Sequence, residues 1–277
     1  MLEIFRRRAP KTSPQERLEA AKAITLPPDT GFQTRVATAE KIEGMFSPFS
    51  MAVIDTLLKF QASRGITGNM LEVGVYKGRS AALLAAHLAP LERLTLVDIH
   101  DYLDHDGLKP FEHLLEVVIT PSNKMRSTVP GYRKRRNSFR FIHIDASHGF
   151  EETFFEMGLA EELLANGGII AMDDFTNLNY SQNTAAIFRY LFTTKTKLSM
   201  LLATDEKAYL CRRIDFDAYA DLVFNLAVPE MESRGVDATL ARTSFEPDYK
   251  AYYLRPRGDG EGRFYGENIY FSHLAAQ

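Results

Sequence analysis

The sequence has little of what marks a secreted, membrane-bound or nucleic-acid-binding protein. It contains a single cysteine, Cys211, which excludes an internal disulfide framework and favours a reducing compartment. It has no run of roughly 18 apolar residues that could cross a bilayer, and its amino terminus has no apolar segment of signal-peptide length. The 33 basic and 36 acidic side chains give a net charge of -3, so no overall field favours nucleic acid. We therefore expect a soluble, cytoplasmic protein with neither a nucleic-acid nor a membrane partner.

The first 40 residues differ from the rest of the chain. Four prolines interrupt a weak helical pattern there, so residues 1–40 are predicted to form an arm or cap. A second copy of the chain could order this arm, which would make the protein a homo-oligomer. No internal repeat or low-complexity tract divides residues 41–277, and we assign them to one domain.

Apolar runs of strand length alternate with helical patterns from residue 49 onward. A helix over residues 49–63 precedes a strand at 70–74, a helix at 79–88 and a strand at 94–98. Further strands are predicted at 117–120, 139–145, 168–173, 207–212 and 268–272, and further helices at 151–164, 184–192 and 216–226. This alternation favours an α/β fold with a Rossmann-like, doubly wound, mostly parallel sheet, and it places Cys211 in a strand interior.

The first strand runs into a loop punctuated by two glycines. Gly74 and Gly78 permit a tight turn, and the helix that follows would point its amide hydrogens at a negative group. A dinucleotide site is the obvious competitor, but it needs glycine where this chain has Tyr76, which argues against NAD or FAD. The carboxylate and ammonium of a methionine moiety do not need glycine at that position, so S-adenosylmethionine is the expected cofactor. The alternative is a plain turn that binds no ligand. The expected contacts are Glu72, Gly74, Val75, Tyr76, Gly78 and Ser80.

The next two strands end in residues that suit the rest of that cofactor. Asp98 follows the second strand, where an acid can accept hydrogen bonds from ribose hydroxyls, although His100, Asp101 or Asp104 could take this role. Ser122 follows the third strand and could contact adenine. A helix cap at Asp98 and a plain turn at Ser122 are the structural alternatives.

Acidic residues follow the fourth and fifth strands. Asp145 ends one strand and Asp173 and Asp174 end the other, and neighbouring strands lie about 4.8 Å apart. Three bare carboxylates would repel one another, so a hard divalent cation is expected among them. Mg²⁺ is the favoured ion, with Ca²⁺ and Mn²⁺ as alternatives. For Asp173 and Asp174 alone, a turn or helix cap would also explain the pair.

Two histidines lie close to these acids. His148 comes just after Asp145, and an imidazole with a pKa near neutrality suits removal of a proton from a metal-bound alcohol. His143 points to the same face of the sheet as Asp145 but lies deeper, so it is expected in the core.

Four segments of the chain occur together in a known family. They are Ile42-Glu-Gly-Met-Phe-Ser, Leu71-Glu-Val-Gly-Val-Tyr-Lys-Gly-Arg-Ser, Ile144-Asp-Ala-Ser-His-Gly-Phe-Glu and Gly167-Gly-Ile-Ile-Ala-Met-Asp-Asp-Phe. In combination they resemble class I methyltransferases of the macrocin O-methyltransferase type, which include metal-dependent sugar O-methyltransferases of antibiotic pathways. The resemblance covers about residues 42–180. It departs from the family at Ala146, where glycine is usual, and at Phe150, where tyrosine is usual.

The resemblance implies a class I methyltransferase fold that follows the amino-terminal arm. It also implies Mg²⁺ on Asp145, Asp173 and Asp174, and either His148 or Asp145 as the base. The cofactor would be held by Glu72, Gly74, Gly78 and Asp98, with Asp145 in contact with it as well.

Taken together, these patterns predict an S-adenosylmethionine-dependent, Mg²⁺-dependent O-methyltransferase that acts on a hydroxyl of a small molecule or glycosyl group. A metal-dependent enzyme on the same fold, similar to the cephalosporin hydroxylases, is one alternative. A cofactor-binding scaffold without turnover is another. The sequence indicates neither the identity of the acceptor nor the oligomeric state.

Overall fold

The computed structural model describes residue 26, residues 31–242 and residues 251–257. Within these ranges the strands are β1 (Asn69–Val73), β2 (Leu94–Asp98), β3 (Leu115–Ile119), β4 (Phe139–Ile144), β5 (Leu164–Met172), β6 (Leu198–Ala203), β7 (Ala208–Arg212), β8 (Ala238–Arg242) and β9 (Tyr252–Pro256). They form one sheet in the order β3-β2-β1-β4-β5-β7-β6-β9-β8.

Helices cover both faces of this sheet. In the described ranges they are α1 (Phe32–Ala39), α2 (Pro48–Ser63), α3 (Arg79–Ala85), α4 (His105–Leu108), α5 (Met125–Thr128), α6 (Phe150–Leu163), α7 (Ser181–Thr193) and α8 (Phe216–Ser233). Short 3₁₀ turns occupy Lys109–Leu114, Ser122–Lys124, Tyr132–Arg135 and Leu178–Tyr180. None of the helices described is both long and apolar enough to cross a membrane.

The strand order places a crevice between β1 and β4. Strands β1 to β5 pair in parallel, with β2 and β3 on one side of β1 and with β4 and β5 on the other. The order of the strands therefore reverses at β1 and β4, and ligands of open α/β sheets bind at the carboxyl ends of the strands at such a reversal. β7 runs antiparallel to both β5 and β6.

The alternation of side chains along the strands builds two core layers. Met70 and Phe141 face the layer that contains helices α2, α3 and α8, whereas Leu71 and Ile142 face the layer beneath α6 and α7. Successive side chains of a strand point to opposite faces of a sheet, so two consecutive apolar residues of β1 serve two different layers. This explains why the strands read as unbroken apolar runs.

The predicted α/β fold with a mostly parallel, doubly wound sheet is confirmed. Cys211 is buried within β7, as expected. Strands β6, β8 and β9 were not predicted, and the strand predicted at 268–272 lies outside the described residues.

The boundary predicted at residue 40 stays a prediction, because residues 1–25 and 27–30 are not among those described. The last part of that segment is helix α1, whose Phe32, Val36 and Ala39 are buried in the core.

Candidate functional site

A cavity of about 550 Å³ opens at the carboxyl ends of β1, β2 and β4. Its walls come from the loops that follow these strands, from the turn after β3 and from residues 43–46. The predicted site residues on the wall are Gly74, Val75, Tyr76, Gly78, Ser80, Asp98, Ser122, Asp145 and His148. Three predicted residues, Glu72, Asp173 and Asp174, are not on this wall.

Gly74 brings the loops after β1 and β4 into contact. Its φ is +81°, and a Cβ there would lie 1.9 Å from the carbonyl oxygen of Asp145. No side chain fits at that distance, so glycine is required both by conformation and by the close approach of the two loops. Tyr76 keeps a left-handed φ of 49° without being glycine, a conformation that costs energy and is found at ligand-binding loops.

Asp98 lines the cavity and also shapes the loop of residues 74–78 after β1, which we name the glycine loop. One carboxylate oxygen accepts the backbone N–H groups of Val75 at 2.7 Å and Tyr76 at 3.0 Å. The other accepts the N–H of Ile99 at 2.7 Å. Asp98 therefore ties the end of β2 to the loop after β1, where a ligand in the cavity meets both.

The three alternatives to Asp98 lie off the cavity wall. Asp104 caps helix α4 by accepting the N–H of Gly107 at 2.9 Å, and Asp101 pairs with His105 at 3.2 Å. The ring of His100 packs against Tyr102. Of the four residues considered for the ribose contact, Asp98 is the one that lines the cavity.

Residues 43–46 form a wall that the sequence did not predict. Glu43 accepts the hydroxyl of Tyr76 at 2.9 Å and pairs with Lys77, so this segment closes over the glycine loop. Phe46 is buried and also lines the cavity. The only sequence signal was the Ile-Glu-Gly-Met-Phe-Ser run, which carried the family resemblance without indicating a role.

Asp145, His148 and Asp174 form what we name the outer cluster. The candidate ligand atoms of these three residues lie within 4.8 Å of one another. Nδ1 of His148 is 3.4 Å from Oδ2 of Asp174, and the imidazole stacks on the ring of Tyr180 with the centroids 4.1 Å apart. These contacts hold the imidazole at the edge of the cavity while leaving it partly exposed.

Glu72, His143, Asp173 and Lys207 form a second group, the inner network, behind the cavity wall. Nδ1 of His143 donates to Oε1 of Glu72 at 2.7 Å, and its Nε2 lies 3.8 Å from Oδ2 of Asp173. The ammonium of Lys207 donates to the same Oδ2. Each of these side chains is at most 12% exposed. Glu72, which was predicted to contact the cofactor, instead holds a buried histidine.

Burial and neighbouring charges set the protonation of this network. Burial disfavours charge on His143 and so does the Lys207 ammonium, yet the nearby carboxylate of Asp173 and the hydrogen-bonded carboxylate of Glu72 raise the pKa of His143 to about 9. Burial alone would raise the pKa of Asp173, but the Lys207 ammonium and His143 hold it well below its usual range. The inner network thus matches two acids with two bases.

Asp145 lies between the two groups and has no ion pair of its own among the described residues. Burial, with the negative charge of Asp173 nearby, raises the pKa of Asp145 to about 7. Its carboxyl group is therefore poised to change protonation near neutral pH.

The predicted magnesium set of Asp145, Asp173 and Asp174 does not fit a divalent cation as it stands. Oδ2 of Asp173 accepts the ammonium of Lys207, and its Oδ1 accepts the N–H of Asp174 at 2.8 Å. Oδ1 of Asp174 accepts the side-chain amide of Asn177 at 2.8 Å. An ion shared by all three carboxylates would have to displace the ammonium.

Comparison with known proteins agrees with this architecture. Residues 71–175 match a family described as a methyltransferase domain. A putative O-methyltransferase from Klebsiella pneumoniae aligns with a TM-score of 0.50 and 13% identity, over 71% of this chain and 95% of its own. At that identity the likeness shows the fold alone.

Two further solved structures align less closely. The O-methyltransferase from Bacillus cereus in complex with SAH gives a TM-score of 0.46 at 17% identity, over 69% of this chain and 94% of its own. The O-methyltransferase TomG from Streptomyces achromogenes, in complex with SAM, gives 0.47 at 15% identity, over 73% and 99%. No curated protein matches the chain significantly. Residues 71–175 are thus similar to a methyltransferase domain, in agreement with the sequence-based expectation.

Proposed function

We propose that the protein transfers a methyl group from S-adenosylmethionine to a hydroxyl oxygen of a small molecule or of a glycosyl group. The observation that carries this proposal is that one cavity joins two kinds of wall. One wall is the glycine loop with Asp98, which suits a nucleoside cofactor. The other is formed by Asp145 and His148 of the outer cluster, and the imidazole suits removal of a proton.

The described residues fit the cofactor. At Gly74 the loop after β1 meets the loop after β4, and no side chain could be added there without a clash. Gly78 and Ser80 would receive the methionine part, Asp98 the ribose and Ser122 the adenine, since all four line one cavity. When bound, S-adenosylmethionine supplies a methyl group activated by a sulfonium charge.

His148 is proposed as the base. Asp174 lies at Nδ1, which favours the proton on that nitrogen and leaves Nε2 to accept a proton from the acceptor. The carboxylate of Asp174 also stabilises the imidazolium that forms. The stack on Tyr180 fixes the plane of the ring, so positioning contributes to the rate beyond the proton transfer.

Magnesium dependence stays a prediction and is not part of this proposal, because Asp173 already has hydrogen-bond donors at both oxygens. The hydroxylase alternative gains no support either. Neither candidate metal cluster in the described residues has the two histidines and one carboxylate typical of non-haem iron oxygenases.

Asp98→Asn tests whether the wall formed by the glycine loop and Asp98 binds the cofactor. We expect its affinity for S-adenosylmethionine to fall roughly tenfold, since a charge-assisted hydrogen bond contributes about 1.5–3 kcal/mol. Asp101→Asn is the matched control, because Asp101 follows the same strand but lies off the cavity wall. Titration calorimetry measures both variants; equal losses in the two would contradict the assignment.

The acceptor class is tested with methyl-labelled S-adenosylmethionine and a panel of phenols and small glycosides. The proposal expects the label in a methyl ether, with transfer reduced in His148→Ala. Label found on nitrogen, carbon or sulfur would contradict the proposed class of acceptor.

A further inference from the structure

Lys207 is a buried lysine whose ammonium lies where the sequence predicts a divalent cation. Its side chain is 2% exposed, and its ammonium donates to Oδ2 of Asp173. The ammonium also lies 5.5 Å from the centroid of the Phe46 ring, within range of a cation–π contact. A buried charge is costly unless it is paired, so the site is built around this cation.

The backbone sets the position of Lys207 independently of its charged partner. The N–H of Lys207 donates to Oγ1 of Thr204 at 2.9 Å, and its carbonyl accepts the N–H of Thr204 at 2.8 Å. The neighbouring Glu206 accepts the hydroxyls of Ser47, at 2.8 Å, and Ser50. The turn between β6 and β7 is thus fixed to the start of α2, which delivers the ammonium to the carboxyl end of β5.

A second cation has no place beside this ammonium. Nε2 of His143 also lies 3.8 Å from Oδ2 of Asp173, so a divalent ion on that carboxylate would meet an ammonium and an imidazole at short range. The remaining oxygen of Asp173 accepts the N–H of Asp174.

We infer that Lys207 is the resident cation of this site. Its ammonium supplies at Asp173 the positive charge that the sequence-based prediction assigns to a metal, and the predicted set of Asp145, Asp173 and Asp174 holds no divalent ion. Lys207 is a positioning residue, because it is buried and lies off the cavity wall. By holding Asp173 inside, it leaves Asp145 on the cavity wall and Asp174 beside His148.

This inference extends the proposed function. Only the role of Lys207 as a positioning residue rests on that proposal. Its test measures ion binding rather than turnover, so its failure is distinguishable from failure of the methyltransferase proposal.

The experiment titrates Mn²⁺ into the purified protein and follows the electron paramagnetic resonance of the free ion. The variants are Lys207→Met, Lys207→Arg, the double variant Lys207→Met with Asp173→Asn, and Lys59→Met. Lys59 is the matched control, since its side chain is 12% exposed and pairs with Glu230 at 3.4 Å, away from the cavity.

We expect the wild type, Lys207→Arg and Lys59→Met to bind Mn²⁺ no more tightly than the millimolar range. Lys207→Met should bind it at least roughly tenfold more tightly, because Asp173 then lacks the ammonium that occupies Oδ2, and the double variant should lose that gain. Micromolar binding by the wild type would overturn the inference, whichever carboxylates hold the ion. A folded Lys207→Met variant without any gain would also overturn it, and if that variant does not fold the wild-type titration decides.

Discussion

The outer cluster and the inner network share the ends of β4 and β5 but differ in access to water and in balance of charge. His148 and Asp174 of the outer cluster have side chains 31% and 24% exposed, whereas those of Lys207 and Asp173 in the inner network are 2% and 12% exposed. The inner network pairs its acids with bases, while the outer cluster has two carboxylates and one imidazole. This difference fits an inner network that fixes the geometry of the site and an outer cluster that carries the proposed proton transfer.

Two adjacent residues, Asp173 and Asp174, belong to different groups. Asp173 faces inward to Lys207, while Asp174, with a φ of 53°, faces His148. Asn177 supports this turn by donating its side-chain amide to Asp174. A pair of neighbouring aspartates is therefore not a pair of equivalent ligands here.

Lys207→Met would break the inner network and have the largest effect. Removing one partner of a buried ion pair leaves an uncompensated charge, so we expect the free energy of unfolding to fall by about 3–5 kcal/mol. Urea denaturation measures it. Lys59→Met should cost only about 1 kcal/mol, because the pair is long at 3.4 Å and Glu230 keeps Arg234 as an ion-pair partner at 2.7 Å. Similar losses in both variants would show that the inner network contributes no more to stability than the Lys59–Glu230 pair does.

His148→Ala would break the outer cluster and leave the inner network intact. We expect kcat to fall by about 10²- to 10⁴-fold, the usual contribution of a general base, with affinity for S-adenosylmethionine almost unchanged. The control is His105→Ala, a histidine whose side chain is 70% exposed and lies off the cavity wall. A His148→Ala enzyme with full activity would assign the proton to another group.

Glu156→Gln would sharpen the comparison through pH. Glu156 is buried next to the outer cluster, with Oε1 unpartnered, and burial raises its pKa from 4.5 to about 7. A raised pKa in the folded state means that stability is lost as pH rises from 4.5 through 7, by about 3 kcal/mol for this group. The raised pKa of Asp145 acts in the same direction.

The wild type should therefore be less stable to urea near pH 8 than near pH 5. Glu156→Gln, which cannot ionise, should reduce this difference. An unchanged pH dependence in the variant would contradict the raised pKa of Glu156.

The sequence predicted the parallel half of the sheet better than the rest. Strands β1 to β5 are apolar runs separated by helical patterns or glycine turns, and both signals are local. β6 is a short apolar run that periodicity alone does not separate from a helix. β8 and β9 pair with each other across residues 243–251, and β9 pairs with β6, so their formation depends on long-range contacts.

The site residues were likewise predicted where the signal is local and missed where it depends on long-range contacts. Asp98, Asp145 and His148 were predicted because strand order places their positions at one edge of the sheet. Lys207 was read only as the start of a strand, since its partner Asp173 lies 34 residues earlier and β7 inserts beside β5 out of chain order. Glu72 was assigned to the cofactor, but the register between β1 and β4 sets it opposite His143.

The most direct test of the account is calorimetric titration of the wild-type protein with S-adenosylmethionine and with NAD, each in the presence of a chelator. The account predicts micromolar binding of S-adenosylmethionine, no binding of NAD, and no change when Mg²⁺ replaces the chelator. Failure to bind S-adenosylmethionine under either condition would contradict the assignment of the cavity.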